Sequence, residues 1–221
     1  MRLFSDSIGR KVIMAVTGLL MVLFVIGHML GNLTIFAGPN GINSYAFHLH
    51  ELAPVVWGTR IVMGAAVLLH LFISIQITLE NSAAKPDRYA VQNHLRATWM
   101  SRNMIWTGAI IGAFIVYHLL HFTFRITPNL ALGFDYLNRF DVYTMVVRAL
   151  GSVVTGLVYI VAMVALGFHL WHGVYSMFGS LGLDSARYMN GIRRIAAFAA
   201  TVIALANISV PVAVLTGLLH G

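Results

Sequence analysis

The sequence predicts an all-α membrane protein that crosses the bilayer with five helices. Hydrophobic residues make up 59% of the 221 positions, charged residues only 10%, and the mean hydropathy is +0.82. A soluble domain of ordinary composition carries about 25% charged residues. The deficit of charge, together with five long stretches whose interiors contain no charged residue, indicates that lipid is the solvent for most of the chain.

Each predicted span is long enough for a transmembrane helix, which needs about 20 apolar residues. The five spans are predicted over residues 12–35, 58–79, 103–125, 148–178 and 195–218. The fourth exceeds one bilayer thickness and is expected to tilt or to protrude at one end. The first is too long for a signal peptide and lacks a small-residue cleavage site, so we expect it to be retained. At this length, residues 1–221 are expected to form a single transmembrane domain.

The connecting segments differ in charge, which predicts the orientation. The segment from Gly38 to Gly41, with the sequence Gly-Pro-Asn-Gly, predicts a turn-rich loop after the first span. The net charge of +7 comes from residues that flank apolar runs, which does not favour nucleic acid as a partner. We expect a multi-pass protein of the inner (cytoplasmic) membrane, and the positive-inside rule predicts that its N-terminus is cytoplasmic. The basic residues on that side are Arg2, Arg10, Lys11, Lys85, Arg88, Arg96, Arg102, Arg187, Arg193 and Arg194.

Ten histidines are many for so apolar a chain, and six of them lie inside the predicted spans. An ionisable side chain at membrane depth is costly and is usually paired, ligated or functional. Neutral imidazole is a common axial ligand of haem iron, and ligation in this form carries no charge penalty. Cysteine is absent, which excludes thiolate ligation of a metal or an iron–sulfur cluster by this chain. The six histidines are His28, His70, His118, His121, His169 and His172.

Helix direction sorts these histidines into two pairs. The first and third spans run outward, so His28 and His118, which lie 16 and 15 residues along them, are both expected near the outer side. The second and fourth spans run inward and place His70 and His169 in the inner half. We therefore predict a four-helix bundle around two stacked b haems, with His28 and His118 as the axial iron ligands of the outer haem and His70 and His169 as those of the inner haem.

Two alternatives remain open at this point. A buried histidine can instead be a hydrogen-bonded structural residue or part of a proton pathway, although a pathway would be expected to include acidic residues in the spans. His121 and His172 follow two of the proposed ligands by three residues on nearly the same helix face. Spacing alone does not decide which histidine of each doublet is the ligand.

Several short motifs, in this order and spacing, resemble the cytochrome b membrane anchor of succinate dehydrogenases and fumarate reductases, in the single-chain, five-helix, two-haem class. The resemblance extends over nearly the whole chain. Its motifs are Phe24-Val25-Ile26-Gly27-His28 with Asn32, Asn43-Ser44 through His50-Glu51-Leu52-Ala53-Pro54, Leu69-His70, Tyr117-His118, and Phe168-His169 followed by Gly173 and Ser176.

The resemblance implies a succinate:quinone oxidoreductase subunit that carries electrons between an iron–sulfur subunit and a membrane quinone, with menaquinone favoured. It implies the same four ligands, and it prefers the first histidine of each doublet. It also implies an FAD-containing flavoprotein partner that holds the dicarboxylate site, so no activity is expected of this chain alone. Glu51, beside His48 and His50, is implied as a group for quinone binding and protonation, because a quinone exchanges protons with its electrons.

Two other functions compete with this interpretation. A di-haem cytochrome b subunit of another quinone-linked dehydrogenase, such as a hydrogenase, would share the haems but lack this His–Glu segment and helix order. A haem-free proton-coupled transporter, which belongs to a different class, would use the same histidines for protons. A reduced-minus-oxidised spectrum separates the transporter from the two cytochromes, and the identity of co-purifying subunits separates the cytochromes from each other.

Overall fold

Seven α-helices make up most of the chain in a computed structural model that describes residues 6–84, 102–127, 130, 132–183 and 185–220. No strand forms in these ranges. Four of the basic residues used to predict the orientation, Arg2, Lys85, Arg88 and Arg96, lie outside them. The helices are α1 (Ser7–Leu33), α2 (Gly38–Glu51), α3 (Ala53–Ala83), α4 (Met104–His118), α5 (Val142–Leu150), α6 (Val153–Ser180) and α7 (Ala186–Leu215).

Five of the described helical segments are long and apolar enough to cross a membrane, which confirms the predicted fold class. They are α1, α3, α4 with its continuation, α6 and α7. Large apolar side chains cover their outer surfaces: Ile61, Leu68 and Phe198 are 69%, 69% and 72% exposed. In water such a surface would drive aggregation, whereas in lipid it is the favoured one because the helical backbone satisfies its own hydrogen bonds.

The helices are packed as a bundle of four with one helix outside. Around the bundle, α1 packs against α3 and α6, and α4 packs against α6 and, more sparsely, against α3. Thus α1 and α4 face each other across one diagonal, and α3 and α6 across the other. The outer helix α7 packs against α6 and α1. This arrangement gives four helices an inward face and leaves α7 to support them.

The two ends of the bundle differ in their polar residues. At the end where α1 begins, called here the Arg10 side, Arg10 pairs with Glu80 near the end of α3. At the opposite end, called here the Asn43 side, α2 and α5 cover the bundle and pack against each other. The alternating directions of the five long helices put the starts of α1, α4 and α7 on the Arg10 side.

The segment that was expected to be a turn-rich loop is a helix, so that expectation was wrong. Gly38 turns the chain with φ of +81°, a conformation that glycine adopts without strain, and Pro39 then occupies the first turn of α2. A Cβ at Gly41 would lie 2.6 Å from the Thr34 carbonyl oxygen. Glycine at this position therefore allows α2 to fold back closely onto the end of α1.

The long fourth span is also divided differently from the prediction. Residues 148–150 belong to the short helix α5, and the transmembrane helix α6 begins only at Val153. Asp141 caps α5 by accepting a hydrogen bond from the Thr144 N–H at 3.1 Å. The break at Gly151 and Ser152 leaves α6 with 28 residues, so the excess length of the predicted span belongs to a helix at the bundle end.

A buried polar network holds α2 to the segment before α5 on the Asn43 side. Asn43 is 1% exposed, and its Nδ2 donates to Asp141 at 3.1 Å and to Asp135 at 3.3 Å. Its Oδ1 accepts from the Tyr143 N–H at 2.9 Å. Asp135 also forms an ion pair with Arg139 at 2.7 Å. Each of these polar groups is paired, as burial requires.

This network predicts that the protein loses stability in acid. Burial raises the pKa of Asp135, but hydrogen bonds from Arg139, Leu137 and Asn43 outweigh it and hold the pKa at about 2. An unfolded aspartate has a pKa of about 3.9, so the unfolded chain takes up the proton first as the pH falls. We expect the melting temperature in detergent to stay level from pH 7 to about 4 and to fall between about 4 and 2.

The control for this prediction is Asp135→Asn, which cannot titrate at this position. It should melt at a lower temperature at pH 7, because it loses the ion pair, and its melting temperature should change less between pH 4 and 2. An acid-induced loss of equal size in both proteins would assign the pH dependence to other carboxylates.

Candidate functional site

Two pairs of histidine rings meet inside the bundle, one pair across each diagonal. The rings of His28 on α1 and His118 on α4 have centroids 5.7 Å apart and are nearly perpendicular, at 86°. The rings of His70 on α3 and His169 on α6 have centroids 6.5 Å apart, at 62°. The structure therefore brings together the four histidines in the combinations expected from helix direction.

The two pairs lie at different levels along the bundle. Thr17 contacts His70 and lies eleven residues before His28 on α1, which corresponds to about 16 Å along a helix. Thr107 contacts His169 and lies eleven residues before His118 on α4. The pair His70–His169 is consequently nearer the Arg10 side, and the pair His28–His118 is nearer the Asn43 side.

Threonine hydroxyl groups hold both rings of the pair near the Arg10 side. His70 Nδ1 lies 3.0 Å from Thr17 Oγ1, and His169 Nδ1 lies 3.2 Å from Thr107 Oγ1. Each hydroxyl is also within hydrogen-bond distance of carbonyl groups one turn earlier in its own helix, at 2.8 Å for Thr17 to Ile13 and 3.1 Å for Thr107 to Met104.

These contacts favour one arrangement of the ring protons. Each hydroxyl group has a single hydrogen to donate. It donates this hydrogen to the carbonyl groups, because a carbonyl group can only accept a hydrogen bond. The oxygen then accepts from the ring, so Nδ1 carries the proton and Nε2 of each histidine keeps its lone pair. A neutral imidazole in this form is the one that binds a metal through Nε2.

A tyrosine and two phenylalanines surround the pair near the Asn43 side. The Tyr159 hydroxyl lies 3.3 Å from His118 Nδ1 and 3.0 Å from His121 Nδ1. Phe24 stacks on His28 and Phe114 stacks on His118, each from one turn earlier in the same helix, with ring centroids 5.6 and 5.7 Å apart. The His118 ring is thus fixed both by stacking and through one of its nitrogens.

The second histidine of each doublet has different surroundings. His121 is 4% exposed, belongs to the π-helical turn Leu119–Thr123 that continues α4, and stacks on Phe122 at 4.2 Å. Its Nδ1 is engaged by Tyr159. His172 is partly buried and lies within electrostatic range of Arg193. The rings that meet their partners across the diagonals are those of His118 and His169.

Glu51 lies at the C-terminal end of α2, on the Asn43 side. His48 Nδ1 is 3.0 Å from its carboxylate, and both side chains are exposed. The His50 ring instead donates to the Ala46 carbonyl oxygen at 2.7 Å, one turn back in the same helix. Of the two histidines next to Glu51 in sequence, the structure brings His48 into contact with it.

Each histidine pair offers two imidazole donors, which suits a metal whose other ligands belong to its own cofactor. Among the described residues there is no group of three or more His, Cys, Asp or Glu side chains that could hold a metal ion. Two imidazoles are too few for a structural zinc site, which takes four ligands, but they are the number that haem takes axially. With metal–nitrogen bonds of about 2 Å, two imidazole centroids on one iron lie about 6 Å apart, close to both observed distances.

Sequence reasoning did not find three residues that contact the histidine pairs, namely Thr17, Thr107 and Tyr159. Threonine and tyrosine are ordinary constituents of apolar spans, so neither stands out by composition. A signal was present, however, in the dipeptide Thr-Gly, which occurs eleven residues before both His28 and His118. No comparable signal points to Tyr159.

Comparison with known proteins assigns the family. No curated protein and no solved structure matches the chain. The family of the succinate dehydrogenase/fumarate reductase transmembrane subunit matches residues 78–208, which is more than half of the chain. The matched range contains His118, Tyr159 and His169, and the helix that carries His70 enters it. The chain therefore belongs to the family of transmembrane subunits of succinate dehydrogenase and fumarate reductase.

Proposed function

We propose that this chain is the haem b-containing anchor of a succinate:quinone oxidoreductase, and that it holds two haems between its histidine pairs. His28 and His118 would be the axial ligands of one haem, and His70 and His169 those of the other. The observation that carries the proposal is the meeting of two histidine pairs across the two diagonals of one bundle. Bound haem supplies one-electron transfer, which a membrane anchor between a dehydrogenase and a quinone requires.

The surroundings of the rings support ligation over a proton pathway. The hydroxyl oxygens of Thr17 and Thr107 lie within hydrogen-bond distance of Nδ1 of their histidines, which leaves Nε2 as the nitrogen available to a metal. A relay would instead need groups that exchange protons with both nitrogens. The described transmembrane segments contain no acidic residue within contact of the four rings.

The distribution of charge supports an orientation with the Arg10 side in the cytoplasm of an inner membrane. Arg10 and Lys11 lie in the first turns of α1, Arg102 precedes α4, and Arg187 and Arg193 lie in the first turns of α7. The iron–sulfur subunit, itself bound to the flavoprotein, would dock on this side. Electrons would then enter at the pair His70–His169 and continue to the pair His28–His118.

The chemistry at the Asn43 side supports a quinone site beside Glu51, with menaquinone the favoured quinone. Reduction of a quinone to a quinol consumes two electrons and two protons, so an acid–base group beside the ring is required. The Glu51 carboxylate, which is exposed, can take a proton from water and then, as the carboxylic acid, donate it to a quinone oxygen. His48, at 3.0 Å from the carboxylate, can orient it and share the proton.

The proposal is tested by purifying the chain with its natural partners from membranes. We expect a reduced-minus-oxidised spectrum with a b-type band, about two haems per chain, and co-purification of a flavoprotein and an iron–sulfur protein. Absence of a b-type band would exclude the haem assignment. A haem-containing preparation associated with a different dehydrogenase would exclude succinate as the electron donor.

A further inference from the structure

The two threonines beside the histidine pair near the Arg10 side occur at equivalent positions of an internal repeat. Aligned with an offset of 90 residues, α1 and the segment formed by α4 with its π-helical continuation share six identities within 17 positions. The helices α3 and α6, aligned with an offset of 99, share six more. The identical pairs are Met14/Met104, Thr17/Thr107, Gly18/Gly108, Phe24/Phe114, His28/His118 and Leu30/Leu120, and then Val55/Val154, Ile61/Ile160, Val62/Val161, Ala66/Ala165, His70/His169 and Leu71/Leu170.

The repeat is also present in the contacts. α1 packs against α3 as α4 packs against α6, and each first helix sends a threonine to the histidine of the second. The glycine after each threonine faces the same ring: a Cβ at Gly18 would lie 3.6 Å from His70 Cε1, and one at Gly108 3.4 Å from His169 Cε1. A threonine that bonded to a ring by chance would not be expected to do so twice, at matching positions.

The repeat does not extend to the polar partner of the other pair. Tyr159, which contacts His118, corresponds to Arg60 in the first half. The pair near the Asn43 side is therefore held through nitrogen by one tyrosine, whereas both rings near the Arg10 side are held by equivalent threonines. Among the described residues, both histidines have a hydroxyl partner only in the pair near the Arg10 side.

We propose that Thr17 and Thr107 are positioning residues that fix His70 and His169 with Nε2 toward the iron and thereby set the redox potential of that haem. The inference rests on the proposed haem ligation. A ligand N–H that donates a hydrogen bond makes the imidazole a stronger electron donor, which favours ferric over ferrous iron. Removal of the acceptor should therefore make this haem easier to reduce.

The two threonines should differ in the size of their effect. The Met14 carbonyl oxygen lies 3.2 Å from Thr17 Oγ1 and is close enough to the His70 ring to accept part of its hydrogen bond when Thr17 is replaced. His169 has the Thr107 hydroxyl as its hydrogen-bond partner. We expect Thr107→Val to have the larger effect, and valine to preserve the shape of threonine while it removes the hydroxyl.

The experiment is a redox titration of both haems in the purified complex, for Thr17→Val, Thr107→Val and the corresponding serine variants. In Thr107→Val the ratio of reduced to oxidised haem at a fixed potential should rise about threefold for one haem, which is about 28 mV at 59 mV per tenfold. The other haem should not shift. Serine keeps the hydroxyl and should restore the original potential. Thr78→Val is the matched control, because Thr78 bonds the Ser74 carbonyl one turn earlier and is exposed.

The possible outcomes distinguish failure of this inference from failure of the proposed function. A shift of one haem with valine but not with serine, or loss of that haem with valine and its retention with serine, supports the inference. Two haems with unchanged potentials in both valine variants, or equal effects of serine and valine, would overturn it and leave the ligand assignment intact. A parent complex without haem would overturn the proposed function as well.

Discussion

Replacement of His70 or His169 by alanine is expected to remove one haem and leave the other, and replacement of His28 or His118 to remove the remaining one. The reason is that each proposed pair would supply both protein ligands from opposite corners of the bundle, so loss of one ring would leave the iron with a single protein bond. Haem content per chain should fall from about two to about one in all four variants. The spectra should fall into two classes, with identical residual haems within each pair.

The matched control is His50→Ala. His50 is exposed on α2 and its ring bonds only the carbonyl of its own helix among the hydrogen bonds described. This variant should retain both haems. If His118→Ala or His169→Ala keeps two haems, the ligand would be the neighbouring His121 or His172. If that neighbour can also be removed without loss of haem, or if His28→Ala or His70→Ala keeps two haems, the ligand assignment would be contradicted.

Replacement of Glu51 by glutamine is expected to slow quinone reduction by about 100-fold, which is the lower range for loss of a general acid–base group. Glutamine keeps the size of the side chain and its hydrogen-bond acceptor but cannot transfer a proton. Because the flavoprotein and both haems would be untouched, succinate oxidation with an artificial acceptor should continue at the parent rate. The measurement is the ratio of the two activities in the purified complex.

Glu80→Gln provides the matched control for this second variant. Glu80 is the acidic partner of Arg10 at the opposite end of the bundle, so its replacement should leave quinone reduction unchanged. Equal quinone rates in Glu51→Gln and the parent complex would place the proton donor elsewhere. A fall in both activities would instead indicate a defect in assembly.

The transmembrane fold is well predicted from the sequence because the requirements of the bilayer act directly on amino-acid composition. Lipid excludes charge over the length of a helix, so α1, α3, α4, α6 and α7 are all visible as apolar stretches. Helix alternation then fixes the direction of each span, and direction fixes depth. The proximity of His28 to His118, and of His70 to His169, follows from depth and the diagonal arrangement.

Other features could not be predicted because they depend on single backbone or side-chain contacts. The sequence Gly38-Pro39-Asn40-Gly41 is rich in turn residues, but proline also fits the first turn of a helix, and the contact of Asn43 with Asp141 is remote in sequence. The break at Gly151 and Ser152 interrupts a stretch that carries no charged residue after Arg148. The positions of Thr17, Thr107 and Tyr159 become informative only when the neighbouring helix is known.

The eleven-residue interval between Thr17 and His28 has an electrical consequence. Two redox centres held at these levels would be separated by about 16 Å, roughly half of a hydrocarbon core about 30 Å thick. An electron that passes between them crosses about half of the transmembrane voltage, which is worth about 1.2 kcal/mol per 100 mV, since a full crossing is worth about 2.3. The ratio of electron occupancies at the two levels would therefore change about eightfold for each 100 mV. The spacing of Thr17 and His28 on α1 thus determines how strongly electron transfer through the bundle would depend on the membrane potential.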